Sequence, residues 1–265
     1  MLKAGVVLVA LALLAALLGP AVTPYDPARQ ELALRLASPT PSHPFGLDEL
    51  GRDILARVLA GARISFLVGL TVVSVSASVG TLLGALAGYF GGVLDDLISR
   101  VIDTLLAFPG LLLAIAIVAV LGPSLINVLV ALTLIGWVGY ARLVRGQVLR
   151  AREFEYVQAA RAVGAATPRI LWRHVIPTAV PALVVQATLG MAGAIIGEAS
   201  LSFLGLGVQP PTPSWGTMLN GGRAHILDAP HLTIFPGLAI VLLVLGFNFL
   251  GDGLRDRLDP RRQVN

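Results

Sequence analysis

The sequence predicts an all-α fold, a polytopic membrane protein with six transmembrane helices. Three observations carry that expectation. Of 265 residues, 56% are hydrophobic and only 13% charged, against about 25% charged in an ordinary soluble domain. The apolar residues gather into six stretches, each near the roughly 20 residues a helix needs to cross about 30 Å of hydrocarbon. The long polar interruption in the second half is arginine-rich and punctuated by glycine and proline.

The first stretch, 4–22, follows Lys3. The small residues Gly19-Pro20-Ala21 also suit a signal-peptide cleavage site, but the run is long for a signal's apolar region. The expectation is an N-terminal transmembrane helix and an extracytoplasmic loop filling 1–63. The second stretch runs 64–90, and its Gly80, Gly84 and Gly88 recur every four residues. They share one helix face, where another helix can approach closely, so helix packing rather than gating is the expected role. Ser74, Ser76 and Ser78 alternate nearby and can bond back to backbone carbonyls. The remaining stretches are 101–121, 125–144, 179–206 and 232–250.

Asp103 and Glu198 stand at or inside the third and fifth stretches. An ionisable group at such depth is costly and faces the protein interior or water. Both are therefore candidate channel-lining polar residues or members of a buried pair, with Arg100 the available partner for Asp103. The plainer reading puts Asp103 near a helix end and has Glu198 bonding backbone or holding a bend.

Orientation follows from lysine and arginine in the connections. With the N-terminus inside, Lys3, Arg100, seven arginines from Arg142 to Arg173 and four from Arg255 to Arg262 lie inside; six arginines lie outside. Both termini and the polar stretch are thus expected in the cytoplasm, with 253–265 as a cytoplasmic tail.

That stretch, about 145–177, parses into helices. Good helix formers run from Gln147 to Val163, and Gly164 is placed to close the helix in a left-handed conformation. Thr167 and Pro168 suit N-cap and N1 of a second short helix, and Pro177 marks entry to the fifth span. Ala159, Ala160 and Val163 are spaced to share a shallow apolar face, flanked by Arg161, Arg169 and Arg173, which can pair with carboxylates. Three uses compete: an amphipathic loop on anionic lipid, a helix-turn-helix DNA reader, and a docking element for a soluble partner. The DNA reader fails because about 32 residues between two spans leave no room for a third helix or core, so no nucleic-acid partner is expected. Docking fits best.

Several chemistries are excluded or weakened. There is no cysteine, hence no disulfide or thiolate chemistry. Lys3 is the sole lysine and follows no glycine-rich turn, so the chain holds no phosphate-binding P-loop. If ATP drives this protein, another chain hydrolyses it. His43, His174, His225 and His231 form no HExxH pair, and no GxSxG elbow is present. His225 and His231 share one loop at an undiagnostic spacing, so no metal site and no catalytic residue is expected. An ion-coupled secondary transporter or channel would show repeated halves with broken helices, and no convincing internal repeat is found.

The stretch 156–177 resembles the EAA loop of permease subunits of ATP-binding-cassette importers. That pattern is Glu-Ala-Ala, a glycine four residues on and a proline thirteen after that; Gln158, Ala159, Ala160, Gly164 and Pro177 hold the matching positions. Gln158 replaces the usual glutamate, and His174 and Ile176 stand where Ile and Leu are common. The resemblance extends to the dipeptide, oligopeptide and nickel branch over about 43–261, through "HPFGLDELGRDILARVLAGARISFLVG", "GWVGYARLVRGQVL", "GEASLSFLGLGVQPPTPSWG" and "FPGLAIVLLVLGFNFLGDGLRDRLDPR". It is most similar to the second permease of a heterodimeric pair, which carries an extra N-terminal span. The resemblance implies a type I importer transmembrane domain over 64–252, in the cytoplasmic membrane of a bacterium or archaeon. It also implies a homologous second permease, two cytoplasmic ATPases gripping one EAA loop each, an extracytoplasmic binding protein and surrounding lipid. ATP and magnesium would be used by the ATPases, with no cofactor on this chain.

Overall fold

A computed structural model describes residues 1–258. In chain order the helices are α1 (Leu2–Val22), α2 (Ile54–Phe90), α3 (Gly92–Leu106), α4 (Gly110–Leu121), α5 (Leu125–Ala151), α6 (Glu155–Ala162), α7 (Thr167–Ile170), α8 (Ile176–Phe203), α9 (Trp215–Gly222) and α10 (His231–Leu258). Four helices together with α1 are long and apolar enough to cross a membrane, and α3 with α4 makes a sixth crossing when counted as one bent span.

Helix α1 packs along α10, with Gly5 against the backbone of Gly246 and Leu250 and Leu2 against Gly253. Residue 20 is a proline with no N–H, which leaves the Ala16 carbonyl without its helical donor. Arg63 of α2 fills the gap, donating to the Ala16 carbonyl at 2.5 Å and to that of Leu17 at 3.2 Å. A charge-assisted bond of this kind ties the first helix into the bundle.

Helix α2 starts well before residue 64, where the apolar run begins. Asp53 caps it by accepting from the Ala56 N–H at 2.7 Å. Arg57, in the first turn, is buried 3.4 Å from Asp48 and donates to the Pro27 carbonyl, while Arg52 pairs with both Asp48 and Glu49. Arg57, which reads as loop in the sequence, finds its partners in the 24–53 segment, and Arg63 finds its in α1, so helix extends through them.

The third stretch, expected as one span over 101–121, is instead two helices whose axes differ by 88°. Pro109 lacks an N–H, and its ring disfavours helical backbone at Phe108, so the helix breaks where hydropathy shows no gap. Between α2 and α3 the chain reverses through Gly91 and Gly92, at φ 67° and 56°, a region that costs glycine little.

The most extensive helix contact is that of α2 with α5. A Cβ on Gly80 would lie 2.5 Å from the Tyr140 Cβ; on Gly84 it would overlap the Ala141 carbonyl; on Gly88 it would lie 2.8 Å from the Arg145 carbonyl. Lipid tails are as apolar as leucine, so hydrophobicity does not drive helices together in a membrane, and close backbone approach supplies the attraction instead. Helix α5 then runs past residue 144 to Ala151, and α10 past residue 250 to Leu258. The rest of the tail, 259–265, lies outside the described residues.

Candidate functional site

The insert between α5 and α8 is anchored at its base by polar bonds. Arg145 grips Asp95 of α3 with two bonds, 2.5 Å from Nε and 2.7 Å from a terminal nitrogen. Arg152, at the C-cap of α5, donates to the Gly88 carbonyl of α2 at 3.1 Å. Three helices are thereby fixed to one another just where the insert leaves the bundle.

The helix expected over 147–163 is broken. Helix α5 stops at Ala151, a turn runs through residues 152–154, and α6 starts afresh at Glu155. Gln158 stabilises that turn: its side-chain amide donates to the Glu153 carbonyl at 3.2 Å. An ionised glutamate at this position has no proton to donate, so the departure from the usual EAA residue has a local consequence. Glu155 in the first turn of α6 and Arg161 in the last both complement the helix dipole.

At the far end of α6, Gly164 has φ +81°. The Ala165 N–H reaches back to the Ala160 carbonyl and the Gly164 N–H to the Arg161 carbonyl, both at 3.0 Å. This is the Schellman closure that glycine favours. The next helix differs from expectation. Its N-cap is Ala166 with no side-chain cap bond, so Thr167 and Pro168 occupy the first two helical positions. Proline is tolerated there because those N–H groups have no intrahelical partner. Nor does this helix stop at Ile176: α7 passes through a π-helical turn, Leu171–Val175, directly into α8, with Pro177 in the first turn of α8. Such π turns recur at functional sites.

Val157, Ile170, Leu171 and Val175 are buried against Ala85 of α2 and Val144, Val148 and Ala151 of α5. Ala160 packs against this cluster too, whereas Ala159, Arg161, Val163 and Gly164 are exposed, Val163 at 84%. The expected face of Ala159, Ala160 and Val163 is therefore split: Ala160 turns inward, and the outward surface is Gln158, Ala159, Ala162 and Val163. Among the described residues Arg161 meets no carboxylate; its guanidinium lies 5.4 Å over the Tyr89 ring of α2, a cation–π contact. Tyr156 donates to the His174 carbonyl at 3.4 Å, joining α6 to the π turn. The insert is thus a rigid elbow clamped to the bundle with a small-residue face turned outward.

The two ionisable candidates separate. Glu198 is fully buried in α8, where Ser202 donates to its Oε1 at 2.6 Å. The Ser202 hydroxyl also accepts from the Val208 N–H, so Glu198 holds the bend that leaves α8. Asp103 lies exposed on α3, and no ion pair joins it to Arg100 among the described residues. Asp103 stands about one helical turn before the Leu106 end of α3. The histidines of the second loop also part company. His225 bonds Asp228 at 3.0 Å and holds that carboxyl below its usual range, while His231 faces the Leu47 carbonyl at 3.3 Å. No group of three metal-ligating side chains forms among the described residues.

Sequence reasoning missed the Arg145–Asp95 and Arg152–Gly88 clamps and the Tyr89 ring. The signal available was the Asp95-Asp96 pair in the first turns of α3, anions in need of a partner.

A helical membrane bundle that presents a clamped two-helix elbow at one end has the form of a transport permease. Comparison with known proteins agrees. The family described as "binding-protein-dependent transport system inner membrane component" matches residues 80–264. The dipeptide transport system permease protein DppC of Alkalihalophilus pseudofirmus is 47% identical over 257 residues, 97% of this chain and 84% of that protein. The glutathione transport system permease protein GsiD of Pectobacterium atrosepticum is 51% identical over 223 residues, 84% of this chain and 74% of that one. An inward-facing structure of the MetNI methionine ABC transporter superposes with a TM-score of 0.55 at 20% identity, covering 78% of this chain and 96% of that one, which shows the fold alone. The chain belongs to the family of binding-protein-dependent transport system inner membrane components, and it is a permease subunit of an ABC importer.

Proposed function

We propose that this chain is one half of an inward channel for short peptides and that its elbow, 152–176, is the seat of a cytoplasmic ATPase. The observation that carries the reading is the clamped elbow: α6 turns small residues outward while Val157, Ile170 and the Arg152 bond lock it to α2, α5 and α8. A push delivered to Gln158, Ala159 and Val163 therefore reaches the whole bundle without being absorbed in a loose loop. Gly164 and the Thr167-Pro168 start keep the lever short.

In this reading ATP-driven closure of two ATPases brings the elbows of two homologous permeases together and opens the channel outward; hydrolysis reverses the motion. A binding protein on the outer side delivers the cargo. The excess of arginine beside the elbow supports a cytoplasmic location for it and for both termini. The relatives named for dipeptide and glutathione transport support a cargo of two or three residues.

The experiment is Gly164→Pro in the assembled transporter. Proline fixes φ near −65° and cannot adopt the +81° of Gly164. The expected result is loss of ATPase co-purification and of ATP-driven peptide uptake, with membrane insertion intact. Survival of both overturns the docking proposal. Peptide uptake by this chain alone, driven by an ion gradient without ATP, would overturn the coupled reading.

A further inference from the structure

One face of α8 carries Gln186, Gly190, Gly193, Gly197 and Ser200, a seven-residue alternation of three and four that keeps them in line. This face borders a cleft of about 360 Å³ walled by α2, the start of α4 and α5, at the lower end of the roughly 300–1,000 Å³ of small-molecule sites. None of the residues lining it is charged.

Two further observations separate this cleft from a packing defect. Ser76 of α2 lines it, is 1% exposed, and its hydroxyl has no hydrogen-bond partner among the described residues. A helical serine ordinarily bonds back to the carbonyl four residues earlier, as Ser78 does to Ser74 at 2.8 Å. Ser76 was expected to do the same and does not, and an unmatched buried hydroxyl costs free energy until something meets it. The second observation is Gly193: a Cβ built there meets nothing within 4 Å, so no neighbouring helix requires glycine at this position. By contrast, a Cβ on Gly190 would strike the Tyr140 hydroxyl, which makes a long 3.5 Å contact to the Gln186 carbonyl.

We infer that this cleft is a transient binding site for cargo inside the membrane, in which Ser76, Tyr140 and Gln186 hydrogen-bond the amide groups of a peptide lying along the glycine face. The inference rests on the peptide reading above. A hydroxyl, a phenol and a carboxamide each both donate and accept, which suits a backbone amide of any sequence. At Gly193, where no neighbouring side chain packs, the peptide can lie close against the helix. The lack of charge makes binding weak, and a translocation site must release as readily as it binds.

The test uses the complete transporter in proteoliposomes: both permeases, the ATPases and the binding protein. The chain has no cysteine, so Gly193→Cys gives this subunit a unique thiol. A bulky water-soluble maleimide is expected to label it, a dipeptide-loaded binding protein with ATP to slow that labelling, and the adduct to cut dipeptide uptake about tenfold, because cargo has no way round a plugged path. Ser76→Ala, the milder variant, is expected to raise the half-saturating dipeptide concentration a few-fold, the size of one neutral hydrogen bond, with subunit co-purification intact.

Labelled transporter that takes up dipeptide at the unlabelled rate overturns the site. So does a thiol that resists the reagent in every nucleotide state and cross-links to the second permease, which would make the cleft an interface between chains. Reaction only with lipid-soluble reagents overturns it as well, as a lipid-facing groove. If the unmodified transporter moves no peptide at all, it is the cargo reading that falls; the labelling result still reports whether the cleft lines a water-filled path.

Discussion

Two glycine faces in this molecule have nearly the same spacing and opposite surroundings. Gly80, Gly84 and Gly88 of α2 press against the backbone of α5, where any side chain would collide. Gly190, Gly193 and Gly197 of α8 border a cleft, and at Gly193 a side chain would meet nothing. Glycine in a membrane helix lets something come close; whether that something is another helix or open volume is decided by the neighbouring elements. On α2 the neighbour is α5, tied to α2 and α3 by the Arg152–Gly88 and Arg145–Asp95 bonds near its C-terminal end. On α8 the cleft is walled by α2, α5 and the start of α4, just past the 88° break at Pro109.

Three substitutions sharpen the contrast. The largest effect is expected at the seam: Gly84→Leu forces α2 from the Ala141 carbonyl and should cost about 3 kcal/mol, the upper end of the range of overpacked cores. Thermal unfolding in detergent and membrane yield measure it, and unaltered stability would break the comparison. Next comes Asp95→Ala, which removes both bonds to Arg145 from a partly buried pair. A loss of about 1–2 kcal/mol is expected, together with weaker ATPase stimulation by loaded binding protein, because the base of the elbow loosens. The smallest is Gly193→Ala, where space is available and alanine is the better helix former by about 1 kcal/mol. Its midpoint should stay level or rise slightly; a fall as large as that of Gly84→Leu would mean the cleft is packed after all.

Much of this architecture was legible in the sequence because hydropathy and helix punctuation are local. The apolar stretches mark the crossings, and Gly164 marks the end of α6. What escaped depended on distant partners. Residues 54–63 read as loop, since their arginines find Asp48, Pro27 and α1 only in the fold. The break at Pro109 was masked by an unbroken apolar run around it. Thr167 and Pro168 fit N-cap and N1 by residue type but are shifted one place, because the cap falls on Ala166. At the elbow the matching positions were identifiable in order, yet the inward turn of Ala160 and the stacking of Arg161 on Tyr89 require α2 to be in place. The cleft was invisible, because Ser76 looked able to satisfy itself.

The central claim is that the elbow is gripped by an ATPase, and a single thiol on its outward face tests it most directly. With Ala159→Cys in this cysteine-free chain and a cysteine series along the partner ATPase, oxidative cross-linking in membranes is expected to join the two subunits. The yield is expected to change between ATP-bound and nucleotide-free states. Absence of any cross-link, with ATP-driven uptake intact, would contradict the account.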